Sequence, residues 1–391
     1  MHIMTILRIL DYLLFVPALL YAAYLLFFAL MALTYRSRED SVTVQPRLFR
    51  KMLVLIPAYA EDFVVKEAVH SFLAQDYPRE RYDVCVISDH MTDQTNQELA
   101  ALPVILEIAS FPEGSTKVKA LNLGMKTLEG YDVAVIMDAD NTVDVSFLSQ
   151  INHAFDRGSR VVQAHRKAKK TNTPFQVLDA LSEEINNTIF RLGHVQIGLS
   201  SALIGSGMAF EFGRFKRVLS GLESVGGFDK ELEHVYLRDG YRFDYLQDTF
   251  VYDEKIRRPD DFARQRRRWL SAQFVYLRRF GPEIPLALLK GRFDYLDKIL
   301  QTAMPPRVLF LGGTFLLALL VLLMSPGASV KWWALWLSVC AALALSVPSN
   351  LWNRNIFLAF LYLGQAFGLM FLTLFRLKGA NRKFIHTRHG D

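Results

Sequence analysis

"VAVIMDADNTVD", residues 133–144, is the stretch on which the fold turns. Val133 to Met137 is an apolar run of the kind a strand buried on both faces requires, and Asp138 and Asp140 follow it one residue apart. Burying an unpaired carboxylate is costly, so water or a cation must meet the pair where the apolar run ends. In extended backbone, residues i and i+2 point the same way, which lets both carboxylates face one ion. Mg²⁺ and Mn²⁺ take oxygen ligands, keep few protein carboxylates and fill their shell with water and substrate phosphate. A solvated strand end or turn has the same composition, so the neighbouring segments decide.

Three similar runs precede it. "MLVLI" (52–56), "YDVCVIS" (82–88) and "VILEIA" (104–109) are short and rich in β-branched residues. Helical patterns lie between them; from Glu61 to Gln75, Val64, Val65, Ala68, Phe72 and Leu73 recur at helical spacing. Strand–helix alternation predicts an α/β domain with a mainly parallel, Rossmann-like sheet and right-handed crossovers. Ligands bind beyond the carboxyl ends of such strands. "IPAYAED", "SDHMTD" and "DADN" occupy three of those ends, so Glu61, Asp89, Asp93, Asp138 and Asp140 are expected to line one crevice.

Hydrophobic residues make up 51% of the 391 and charged ones 21%, which is too apolar for a purely soluble enzyme. The excess is local. Residues 12–35, 308–330, 332–353 and 355–375 carry no formal charge, and each reaches the roughly 20 residues needed to cross a hydrocarbon core. The first is longer than the apolar region of a signal peptide and lacks a small-x-small cleavage site. Four membrane segments are therefore expected. The basic flanks "YRSRED" and "RLFRK" follow the first and place the next region in the cytoplasm, at the inner membrane of a bacterium. The net charge of +6 collects near the spans, which suits anionic lipid headgroups and no nucleic-acid partner. Cys85 and Cys340 fall in a predicted strand and a predicted span, so no disulfide framework is expected. Three late spans would leave the basic tail outside, against the charge rule, unless one of them is re-entrant or interfacial. The expected organisation is an N-terminal membrane helix over 1–36, a cytoplasmic domain over 37–280, and amphipathic interface helices over 281–304. C-terminal membrane helices over 305–377 and a basic tail over 378–391 complete it.

Other segments carry chemistry and have plainer alternatives. "RQRRRW" holds Gln265, Arg268 and Trp269: arginine forks suit phosphate and an indole suits a sugar face, although a basic interfacial helix looks the same. Lys117 and Lys119 precede a helical pattern where a phosphate could be met, or form a surface pair. Gly205 and Gly207 in "LIGSGMAF" allow close backbone approach, as would a bulge. Asp229 in "GGFDKELE" reads as a helix start, where it serves as a cap or as a general base beside a cleft.

In this order the pieces resemble the family 2 inverting glycosyltransferases, in particular the membrane-embedded branch of cellulose, hyaluronan and poly-N-acetylglucosamine synthases. The resemblance covers about Lys51 to Trp269 and implies a GT-A fold that binds a UDP-sugar with Mg²⁺ or Mn²⁺. Pro57, Ala58, Tyr59 and Glu61 match the nucleotide-contacting start, Asp89 the aspartate on the uracil side, and Lys117 the lysine near the diphosphate. Asp138 and Asp140 match the D-x-D pair, with Asp140 the better candidate for direct ligation. Gly205 and Gly207 match the acceptor-pocket G-x-G, and Gln265, Arg268 and Trp269 match Q-x-x-R-W. The family's catalytic T-E-D is missing, but Asp229 stands eleven positions before Gly240-Tyr241, as the base does in relatives. Phe228 takes the usual Glu position, Val118 replaces a glycine, and Glu231 and Glu233 are the fallback bases. The implied activity is transfer of a sugar to a growing polysaccharide by a processive synthase. The alternative is a single transfer to a membrane lipid, as in ceramide glucosyltransferases or enzymes acting on polyprenyl phosphate.

Overall fold

The computed structural model describes residues 2–36, 47–222, 224, 226–256, 259–352 and 354–376. The basic tail over 378–391 and most of the flank "YRSRED" lie outside the described residues. Among the described residues, eight strands, β1 (Met52–Tyr59), β2 (Tyr82–Asp89), β3 (Ile105–Ala109), β4 (Val133–Ile136), β5 (Thr142–Val143), β6 (Val161–Ala168), β7 (Met208–Glu211) and β8 (Asp244–Asp253), form one sheet. Their order is β3-β2-β1-β4-β7-β6-β8-β5.

The first four strands are parallel, as their unbroken apolar composition demands. Alternate side chains of β1 divide between two cores. Leu53 and Leu55 join Cys85, Ile87, Ala134 and Ile136 on one face. Met52, Val54 and Ile56 join Val84, Val86, Val133 and Val135 on the other. Beyond β4 the sheet is mixed: β7 runs antiparallel to β4 and β6, while β6 and β8 pair in parallel across an irregularity at Ala164/His165. The sheet is thus a mixed GT-A-like one rather than parallel throughout. The expected helix after β1 is shorter than its pattern and spans Val65–Leu73, because a turn closed on the Glu61 carbonyl precedes it.

Among the described residues, three helices are long and apolar enough to cross a membrane, Thr5–Ala32, Arg307–Met324 and Pro326–Leu345. Asp11 on the first is met by Lys331 and by the Trp332 indole on the third, which satisfies an acid in an apolar helix. The fourth expected span is a pair, Arg354–Phe360 and Leu363–Leu374, bent by 46°. Arg354–Phe360 packs on the domain helix Pro174–Asn186, and Leu363–Leu374 on Pro259–Phe280.

The domain is fastened to the first membrane helix. Gly193 lies so near that a Cβ there would stand 2.3 Å from the Phe28 carbonyl oxygen. His194 stacks on Phe28 at 3.7 Å, and Tyr24 donates to Asp297 at 2.7 Å while lying 2.8 Å from His194 Nε2. Asp297 belongs to the amphipathic helix Phe293–Ala303, whose inner face buries Tyr295, Lys298, Ile299 and Thr302. An apolar groove of about 390 Å³ opens between the membrane helices and Pro259–Phe280, lined by Leu14, Ala18, Leu270, Phe274, Gly313 and Leu317 among others.

Candidate active site

The carboxylate that opened the analysis has a partner. Lys117 Nζ donates to Asp138 Oδ1 and, at 2.8 Å, to the Gly205 carbonyl, and stands 5.2 Å above the Phe228 ring. Lys117 begins the helix Lys117–Met125, whose cap Thr116 accepts from the Lys119 amide. That cap holds the ammonium at a strand end. Phe228 thus supplies an aromatic face to a lysine already occupied by Asp138.

A polar relay joins the two D-x-D residues. The Asp138 amide donates to Ser206 Oγ at 2.9 Å, Ser206 Oγ donates to Asn141 Oδ1 at 2.5 Å, and Asn141 Nδ2 donates to Asp140 Oδ1 at 3.0 Å. Ser206 and Asn141 are buried, and Asp140 nearly so. Neither Ser206 nor Asn141 was singled out from the sequence, where a serine between glycines and an asparagine after D-x-D read as turn residues.

Asp229 is the second residue of the helix Phe228–Arg238, capped by Gly227 in the left-handed region, so the carboxylate is not spent as a cap. Burial raises its pKa above the ordinary aspartate value and Glu233 adds to the rise, while Lys230 and Lys117 oppose it. A Cβ on Gly205, at φ +84°, would lie 3.7 Å from Phe228 and 4.0 Å from the Asp229 carboxyl carbon. Gly205 therefore borders the candidate base. The fallback residues are engaged elsewhere: Glu231 accepts from Arg279, and Glu233 from Lys230 at 2.9 Å and from the Leu203 amide at 2.5 Å.

Arg268 completes the group. Burial pulls its pKa down, and the charges of Asp138 and Asp229 pull it back up. One residue on, Trp269 is 40% exposed and carries the Arg266 guanidinium 4.5 Å from its ring; Arg266 in turn binds Asp179 at 2.7 Å. Gln265 Oε1 is buried and accepts no hydrogen bond among the described residues.

The other end of the crevice is built by β1 and β2. Pro57, Ala58 and Tyr59 pair in register with Ile87, Ser88 and Asp89. Asp89 is buried at the strand end, its Oδ1 accepting from His90 Nδ1 at 2.5 Å. Glu61 is buried just beyond β1, with its amide donating to Met91 Sδ. Gly207 sits elsewhere: its amide donates to Ile136 O and its carbonyl accepts from Ala164 N, joining β4 to β6, and a Cβ would meet Val251 Cγ2 at 2.7 Å. Lys117, Asp138, Gly205, Asp229 and Arg268 thus converge, Asp140 joins them through the relay, and Gly207 packs in the sheet. Asp93 begins the helix Asp93–Ala100.

The donor set suits a hard divalent cation held mainly by its substrate. It offers two carboxylates, and no group of three or more His, Cys, Asp or Glu residues gathers among the described residues. Such a set matches an ion that completes its shell with water and phosphate, and not a closed protein cage.

The sheet with its acidic strand ends is that of a GT-A-like fold. Residues 49–272, more than half of the chain, match Glycosyltransferase like family 2, and the chain belongs to that family. A stretch of 98 residues is 33% identical to the probable glycosyltransferase YdaM of Bacillus subtilis (strain 168). It covers 24% of this chain and 23% of that protein, so the match spans about a quarter of the relative's length. Among solved structures, the mannosyltransferase PcManGT from Pyrobaculum calidifontis, in complex with GDP-Man and Mn²⁺, superposes with a TM-score of 0.53 at 18% identity. It covers 88% of this chain and 99% of that one. S. aureus TarS 1–349 in complex with UDP-GlcNAc matches at a TM-score of 0.42 and 18% identity, over 85% of this chain and 91% of that one.

Proposed function

We propose that the protein transfers a sugar from a UDP-sugar to an acceptor hydroxyl by a single inverting displacement at the cytoplasmic face of a membrane. The observation that carries this is the convergence of Asp229, Arg268, Lys117 and Asp138 around Gly205. Asp229 takes the acceptor proton, and burial, by raising its pKa above the ordinary aspartate value, strengthens it as a base. Lys117 and Arg268 face the charge that grows on the departing diphosphate. Asp140 and Asp138 are the residues that would hold Mg²⁺ or Mn²⁺, which when bound supplies Lewis-acid stabilisation of that leaving group. Solved relatives in complex with GDP-Man and Mn²⁺ and with UDP-GlcNAc support a nucleotide-sugar donor with a divalent cation. Pro57, Ala58, Tyr59, Glu61 and Asp89 hold the nucleoside, and Gln265 and Trp269 the sugar side. Residues 37–280 form the catalytic domain, 1–36 its anchor, 281–304 the interface layer and 305–377 the remaining membrane part.

For the acceptor, one observation favours a membrane lipid over the growing polysaccharide that the Q-x-x-R-W resemblance implies. The groove between the spans is almost wholly apolar, and its polar groups are already used. Gln273 Nε2 donates to Thr302 O and Met304 O, and Thr314 Oγ1 donates to Phe310 O. A glycan needs hydrogen-bonding partners along its path, whereas an alkyl or isoprenyl chain needs none. With three crossing helices and the bent pair packed along the domain, Arg376 would return to the cytoplasmic side. Incubation of the full chain in membranes with radiolabelled UDP-sugars tests both: an organic-soluble glycolipid supports the lipid acceptor, long polymer supports the polysaccharide, and no incorporation with any donor refutes the transferase reading.

A further inference from the structure

The Trp269 indole is held from behind by a residue that the transfer chemistry does not use. Arg266, one turn earlier on Pro259–Phe280, places its guanidinium 4.5 Å from the centre of the Trp269 ring and 4.8 Å from that of Phe262. Among the described residues the one hydrogen-bond partner of this guanidinium is Asp179, at 2.7 Å, and both side chains are largely buried. The Arg266 Nε is buried with no partner among the described residues. With no second acceptor to turn to, the plane of the guanidinium is set by that carboxylate. Asp179 comes from a different element, the helix Pro174–Asn186, which begins in a capping box of Thr173 and Gln176. One turn past Asp179 the same helix is tied to the sheet, where Glu183 accepts from Arg166 of β6 at 2.6 Å. Its Phe175 meets Phe262 edge-on at 5.6 Å. A line of contacts therefore runs from β6 through Glu183, Asp179 and Arg266 to Trp269.

We propose that Asp179 is a positioning residue for sugar transfer: through Arg266 it fixes the orientation of the Trp269 indole against which the sugar rests. The proposal rests on the reading of Trp269 as part of the sugar side of the site. A half-exposed indole on a helix has several staggered rotamers open to it, and a cation seated on its ring favours the one that keeps the contact. The cation does so only while it is itself held, and Asp179 holds it from an element anchored in the sheet that carries the carboxylates. Misplacing the sugar by about 1 Å is enough to cost about 100-fold in rate. Stability gives little reason for the pair, since a buried ion pair is often replaced by apolar residues at no loss.

The test is a mutant cycle on the full chain in lipid nanodiscs, read by transfer from the radiolabelled UDP-sugar that the chain incorporates, by calorimetry with UDP and Mn²⁺, and by Trp269 fluorescence. The other tryptophans, Trp332, Trp333, Trp336 and Trp352, lie on the membrane helix Pro326–Leu345 or just after it, so subtracting the signal of the matching Trp269→Phe chain isolates Trp269. Asp179→Asn should lower kcat/KM about tenfold or more, leave the UDP affinity within about twofold, and lower the fluorescence anisotropy of Trp269. Asp179→Glu should restore much of the rate. Asp179→Leu combined with Arg266→Met removes both buried charges; it should keep a thermal midpoint near that of wild type and still lose the rate, which separates positioning from folding. In a Trp269→Ala chain, Asp179→Asn should have almost no further effect on the rate. Losses that multiply in that chain, a UDP affinity that falls with the rate, or wild-type rates in both the Asn variant and the double variant overturn the role of Asp179. Wild-type transfer by Trp269→Ala itself overturns the reading of Trp269, and the positioning by Asp179 with it.

Discussion

Gly193→Ala tests how the catalytic domain is seated on its membrane helix. The new Cβ would stand 2.3 Å from the Phe28 carbonyl oxygen and 3.2 Å from the Thr188 carbonyl oxygen, both backbone atoms that cannot rotate away. Restoring ordinary contact requires the two helices to part by about 1 Å, a gap that forfeits a quarter to a half of the dispersion well along the seam. The stack of His194 on Phe28 opens with it, as does the 2.8 Å contact between Tyr24 and His194. Overpacking of this kind costs about 1–3 kcal/mol and the weakened hydrogen bond about 1, against a gain of about 1 from alanine's better helix propensity. The net is a loss of about 1–3 kcal/mol, or roughly 2–5 °C in midpoint for a chain of this size. Thermal unfolding of the solubilised protein, followed by tyrosine and tryptophan fluorescence, measures it. Gly313→Ala is the control, because a Cβ there meets nothing within 4 Å. A Gly193→Ala midpoint at or above that of wild type would show that helix propensity governs this position, and would refute the close seating.

Asp229→Asn should reduce transfer by about 10²–10⁴-fold while leaving UDP affinity nearly unchanged, as calorimetry beside a rate assay would show. The same variant has a stability signature. A carboxyl whose folded pKa is raised destabilises the folded chain above that pKa, and the penalty disappears below the unfolded value of about 3.9. Asp229→Asn should therefore raise the thermal midpoint at pH 7.5, and the gain should fade as the pH falls toward 4. Lys230 is first among the groups holding the Asp229 pKa down, so Lys230→Met should move the acidic limb of the rate profile to higher pH; a limb that stays put removes Asp229 as the titrating base. Asp140→Asn should abolish metal-dependent turnover, and near-normal rates across a Mn²⁺ titration would contradict its assignment. Gly313→Phe fills the apolar groove and should suppress glycolipid formation while sparing slow hydrolysis of the donor; equal loss of both would point to misfolding instead.

Where the sequence is periodic, the fold is legible from it. The runs at 52–56, 82–88, 104–109 and 133–138 correspond to β1 to β4, because strands buried on both faces must be apolar throughout. The second half of the sheet gives no such signal. β6 reads "VVQAHRKA" and β8 "DYLQDTFVYD", and some of their charged residues form ion pairs largely out of solvent: Arg166 pairs with Glu183 at 2.6 Å, and Asp253 with Lys255 at 2.7 Å. Buried ion pairs defeat a pattern built on hydrophobicity, since each charge is stabilised by a partner that polarity alone does not reveal. The site divides likewise. Asp138, Lys117 and Arg268 stand out through the family resemblance, whereas Ser206 and Asn141 enter only through the relay that folding creates. The bent helix pair shows the same limit: composition gives 355–375 the look of a span, and only its packing on Pro174–Asn186 and Pro259–Phe280 gives the 46° break a meaning.

The contact between Lys117 and Asp138 has a consequence for the order of events. A crevice that brings its own counter-ion is already electrically balanced at rest. A free divalent ion arriving alone must evict an ammonium tethered to the same helix start, whose local concentration far exceeds that of any solute. Only a newcomer that also carries negative charge for the displaced lysine makes the exchange favourable. On the proposed assignment of Asp138 and Asp140 to the cation, loading would be a swap of one salt for another, with the nucleotide and its cation arriving together.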